Sequence, residues 1–67
     1  MTDTAALVSH WRRQRGMFQA ELASAAGTGQ AAISRIESGR DVPTLPVLER
    51  IATTMGCSLA ITFTTDP

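Results

Sequence analysis

A chain of 67 residues has room for one domain and no second core, and a domain that short is marginal without a partner. Six arginines offset six acidic residues, lysine is absent, and Cys57 is the single cysteine, which excludes an internal disulfide and a cysteine-based metal cluster. One histidine, no cluster of carboxylates and no apolar run of membrane-spanning length leave nothing from which a catalytic triad, a metal site or a membrane anchor could be assembled.

The expectation is a cytoplasmic protein without cofactor that is not an enzyme. Met1-Thr-Asp-Thr shows no basic region followed by an apolar core, so no export signal is expected. A net charge of zero argues mildly against a nucleic-acid partner. The distribution argues the other way. Arg12, Arg13, Arg15, Arg35 and Arg40 fall between positions 10 and 40, where Glu21 and Glu37 are the only acids. Guanidinium forks pair bidentately with phosphate or guanine. An arginine-rich, lysine-free composition is equally what a G/C-rich genome would encode, but that does not account for the clustering.

Taken in order, the chain predicts a frayed start over residues 1 to 4 and a first helix from about Thr4 to Arg15, ended by Gly16. Leu7, Val8 and Trp11 form its apolar stripe, which places Trp11 in the core. His10 has no partner at ligand spacing and reads as a surface residue. Arg13 and Arg15 are either phosphate contacts or a solvated face. Met17 continues the core. A second helix carries Leu22, Ala23 and Ala26 on one stripe and ends in the tight turn Gly27-Thr28-Gly29.

The third helix begins at Gly29 or Gln30, with Gly29 or Thr28 as its cap. Ile33 and Ile36 point inward, and Gly39 closes the last turn in a left-handed conformation. The opposite face carries Gln30, Ala31, Ser34, Arg35 and Ser38: no carboxylate, no bulky apolar group, one guanidinium. Such a face suits an acceptor-rich polyanion, and the major groove of DNA is one.

Arg40 to Pro43 reads as a loop, because Pro43 disfavours helix at Val42. Thr44 caps a fourth helix whose stripe is Leu45, Leu48, Ile51, Ala52 and Met55; Gly56 ends it, and Glu49 and Arg50 are solvated. From Ser58 the period changes. Leu59, Ile61 and Phe63 alternate with Ala60, Thr62 and Thr64, a strand signal. No other stretch reads as a strand. The economical pairing is antiparallel, with the same strand of a second copy in an isologous two-fold contact; a disordered tail, or one held by another partner, is the alternative.

Gln19, Leu22, Ala23 and Gly27, then Ile33, Ser34, Ile36, Glu37 and Gly39, match in register the pattern Q-x-x-L-A-x-x-x-G and I-S-x-I-E-x-G. The stretch resembles the helix-turn-helix of the Xre/Cro and phage-repressor family, and the likeness extends from about Val8 to Leu59. It implies an all-α fold: a four- to five-helix lambda-repressor-like domain over residues 1–57, followed by a short C-terminal dimerisation strand over residues 58–67, where many members have a fifth helix. That ending is closer to the small HipB-type antitoxins.

The resemblance also assigns roles. It puts Gln30, Ala31, Ser34 and Arg35 on base edges, where Gln30 suits adenine, Arg35 guanine and Ala31 a thymine methyl. It puts Gln19, Ser38, Arg40 and Arg13 on phosphates, although Gln19 and Arg13 would also serve as plain surface residues. It pairs Arg12 with Glu37 as a structural ion pair, in keeping with the position of Glu37 at the border of the buried stripe. Leu59, Ile61 and Phe63 form the dimer interface. Phe18 departs from the pattern: Ser or Thr usually caps the second helix here, and a lost cap costs about 1 kcal/mol. The implied function is a homodimeric repressor that binds double-stranded DNA at a near-palindromic operator. The alternative is an antitoxin that binds a toxin protein and autorepresses its operon.

Overall fold

The computed structural model describes residues 3–65 and contains four helices: α1 (Thr4–Gln14), α2 (Gln19–Ala25), α3 (Gln30–Glu37) and α4 (Leu45–Thr54). α3 packs against α1 and α2, and α4 lies over α2. The core is Val8, Leu22, Ala23, Ala26, Ile33, Ile36, Ile51 and Met55, with Met17, Val47, Leu48 and Cys57 packed on its margin. Among the described residues no helix is long and apolar enough to cross a membrane.

The fraying expected over residues 1 to 4 is corrected at Asp3 and Thr4; residues 1 and 2 lie outside the described residues. Asp3 is the N-cap of α1, its Oδ1 accepting from the Ala5 N–H at 3.1 Å. The inward face of α1 also differs from expectation. Ala5 and Val8 are buried and Arg12 follows them, while Leu7 and Trp11 are 40% and 37% exposed. Trp11 is therefore a flank residue and not core. Its ring meets His10 edge-on at 5.3 Å between centroids and carries the Arg15 guanidinium 5.4 Å above it.

α2 begins without a side-chain cap, because Phe18 offers no acceptor; one half of a capping box remains, with Glu21 Oε1 accepting from the Phe18 N–H at 2.8 Å. Phe18 is 76% exposed, so burial of its ring does little to compensate. At the other end Gly27 adopts φ 71°, and the Thr28 N–H reaches back to the Ala23 carbonyl at 2.8 Å. That left-handed glycine reverses the chain within three residues and fixes the angle between α2 and α3. Thr28 does not cap α3; the N-cap is Gly29, and it makes no side-chain bond.

Thr44 caps α4 through a long bond, its Oγ1 accepting from the Val47 N–H at 3.5 Å, and Pro46 sits in the first turn, where no intrahelical donor is lost. Ile51 from this helix and Met55 from its C-cap reach the core. Leu45, expected on the same stripe, is 56% exposed. Among the described residues no strand forms. Residues 57–65 carry no regular secondary structure; Leu59 is half-buried, whereas Ile61 and Phe63 face solvent. A strand that pairs only with a second copy has no ladder partner inside one chain.

Candidate nucleic-acid interface

The sequence of α3 divides it sharply between inside and outside. Ile33 is fully buried and Ile36 nearly so, Ala32 is half-buried, and Gln30, Ala31, Ser34, Arg35 and Ser38 are all exposed. Burial of the two isoleucines fixes the rotation of the helix about its axis, and with it the direction in which the polar face looks. The outward ridge therefore stands on the rigid part of the molecule.

A network beneath this ridge locks α3 to α1. Arg12 Nε donates to Glu37 Oε2 at 2.6 Å and Arg12 Nη2 to Oε1 at 3.0 Å, a fork-to-fork pair; Arg12 Nη1 donates to the Met17 carbonyl at 2.7 Å. Gln19 Nε2 adds a bond to Glu37 Oε1 at 3.2 Å, which ties α2 into the same node. The two charged side chains are only 12% and 8% exposed, so each is held by its partners and not by water. Burial pushes the Glu37 carboxyl up, but hydrogen bonds from Arg12 and Gln19, with the attraction of Arg12 and Arg13, more than offset it and leave the group below its ordinary value. The hydrogen bond to Glu37 raises Arg12.

Arg13, Arg15 and Arg40 fall into two groups. Arg13 and Arg40 are exposed and make no hydrogen bond through their side chains to the described residues. Arg13 lies near enough to Glu37 to act on its carboxyl, which puts it on the same side as Gln19. Arg40 follows Gly39, where φ of 80° turns the chain off α3 and lets the Arg40 N–H donate to the Arg35 carbonyl at 2.9 Å. Arg15, by contrast, is not a merely solvated residue. Its Nε donates to the Met55 carbonyl at 2.8 Å, so a cation sits on the C-terminal end of α4 and braces it against α1.

Two features of the ridge escape the sequence reading. Ser38 Oγ donates to the Arg35 carbonyl at 3.1 Å, which leaves its lone pairs as the outward-facing capacity. Arg35 is not alone either: Arg35 Nε donates to Asp41 Oδ2 at 2.7 Å, so a carboxylate from the following loop folds back onto a face that is carboxylate-free within the helix. The spacing of six residues is not a helical one, and only the reversal at Gly39 brings the two side chains together.

A helix-turn-helix family model matches residues 9–61, from the second turn of α1 into the tail. The chain belongs to the helix-turn-helix family. Within it the chain is of the Xre and lambda-repressor-like kind, whose domain is the DNA-binding part of transcriptional regulators. No curated protein matches the chain. In this helix-turn-helix α2 and α3 are the two named helices, the Gly27-Thr28-Gly29 segment is the turn, and α3 occupies the position of the helix that enters the major groove.

Proposed function

We propose that the protein is a repressor that acts as a homodimer on a near-palindromic operator, placing α3 of each copy in successive major grooves. The observation that carries this reading is the outer face of α3: five exposed small or polar residues with one guanidinium, on a helix whose inner face is fully committed to the core. Gln30, Ala31, Ser34 and Arg35 would meet base edges, and Gln19, Ser38, Arg40 and Arg13 the flanking phosphates. Gln19 keeps one amide hydrogen and the helix-start N–H groups for an anion while its other hydrogen holds Glu37.

The dimer contact is the tail. Ile61 and Phe63 are exposed apolar groups on a segment without regular secondary structure, and pairing two copies antiparallel would satisfy the ladder and cover both. The fully exposed Phe63 also supports a second reading, an antitoxin that holds a toxin by the same segment; co-purification with the product of an adjacent gene would favour it.

Selection of binding duplexes from a random pool, followed by footprinting, tests the main reading. It predicts symmetric protection with half-site centres about 34 Å apart, one helical turn. A protein that selects no duplex at low salt, or protects one asymmetric half-site, contradicts it.

A further inference from the structure

Asp41 has no role in the reading above, yet its placement is tightly defined. The Asp41 N–H donates to the Arg35 carbonyl at 3.2 Å, alongside that of Arg40, so the loop backbone is held over the last turn of α3. From there Asp41 Oδ2 accepts from Arg35 Nε at 2.7 Å. Both side chains are about half exposed, 49% and 53%, so solvent screens the pair and it does little to hold the fold together.

What the pair does is choose which edge of the guanidinium is free. Asp41 occupies the Nε side. Among the described residues Nη1 and Nη2 donate to nothing, and they form the end-on edge. Bidentate reading of guanine O6 and N7 needs two parallel N–H groups presented together. An unrestrained arginine on a helix surface samples many rotamers and must give up that freedom on binding; a carboxylate that restrains Nε beforehand removes part of the cost.

We propose that Asp41 is a specificity-determining positioning residue, which holds Arg35 so that its Nη1/Nη2 edge faces the major groove. The proposal rests on the DNA-reading role of α3 given above. The carboxylate has a second effect. Near the phosphate backbone it repels any duplex, and that repulsion is offset only where Arg35 finds its guanine. Asp41 thus sharpens the choice of sequence while lowering affinity for random DNA.

The test is a double-mutant cycle on the full chain: wild type, Arg35→Ala, Asp41→Ala and the double variant, titrated with the selected operator, an operator substituted at the guanine, and a random duplex. Thermal melts of each variant establish that all are folded. In Asp41→Ala the preference for operator over substituted operator should fall about two- to fivefold, with binding to the random duplex equal or tighter. In the Arg35→Ala background the same substitution should leave the preference unchanged. Asp41→Asn, which keeps an acceptor without the charge, should lie between wild type and Asp41→Ala. A merely structural Asp41 would lower the melting temperature and weaken all three duplexes alike, which overturns the proposal. So does a preference that survives Asp41→Ala, or a loss that persists without Arg35. If wild type shows no preference at all, the DNA-reading role falls first and the proposal with it; if wild type and Arg35→Ala behave as expected and Asp41→Ala does not, only the proposal falls.

Discussion

Arg12 Nε stands 2.6 Å from Glu37 Oε2, and this one contact joins two helices whose paired residues are 25 positions apart in the chain. Opposite charges held at 12% and 8% exposure are there to be paired: removing either strands the other in a poorly solvated place. Arg12→Ala should therefore destabilise the fold by about 3–5 kcal/mol, much of what a domain this small possesses. The same contact sets an acid limit. The Glu37 carboxyl lies below its ordinary value of 4.5, so its contribution is complete above that pH and is lost as pH falls through the lowered value. Denaturant unfolding as a function of pH should show stability declining below pH 4.5, and Glu37→Gln should remove that part of the slope.

Phe18 gives the opposite kind of prediction, a gain. The Glu21 half of a capping box is already formed at the start of α2, and the ring at position 18 is exposed and supports nothing. Phe18→Ser supplies the missing acceptor. Stability should rise by about 1 kcal/mol, and the melting temperature by about 4–8 °C. No change in calorimetric melting would mean that the helix start is satisfied in another way.

Arg40 carries a charge at the end of α3 without a side-chain partner among the described residues. As a phosphate contact it should act without regard to sequence. Arg40→Ala should weaken operator and random duplex alike and flatten the dependence of log affinity on log salt by about one unit. An unchanged slope removes Arg40 from the interface.

The helices themselves were legible because their apolar periods and closing glycines agree: α3 and α4 run as the spacing of Ile33, Ile36, Ile51 and Met55 requires. Trp11 departs from the place its spacing predicts for a definable reason. The inward face of α1 is Ala5, Val8 and Arg12, and a half-buried arginine there makes the apolar stripe look shifted toward Leu7 and Trp11. Arg15 on the Met55 carbonyl and Asp41 on Arg35 depend on tertiary approach and on a chain reversal, neither of which leaves a periodic trace. The tail alternates like a strand, but alternation records only what each face prefers and does not supply the partner that a ladder needs.

Phe63 makes the tail testable. Its side chain has no contact with the rest of the fold to lose, since it is fully exposed. Phe63→Lys should leave the melting temperature of dilute monomer unchanged while sedimentation shows the dimer dissociating; a dimer that persists places the interface elsewhere.

The surface of α3 is the claim on which the others stand, and Ser34 lies on it, exposed and without a hydrogen bond through its side chain to the described residues. Ser34→Glu sets a carboxylate where a polyanion should approach and disturbs nothing underneath. The decisive measurement is fluorescence anisotropy of this variant with the selected duplex, beside its thermal melt. The account predicts unchanged melting and affinity reduced by about a hundredfold or more; unchanged affinity in a folded variant would contradict it.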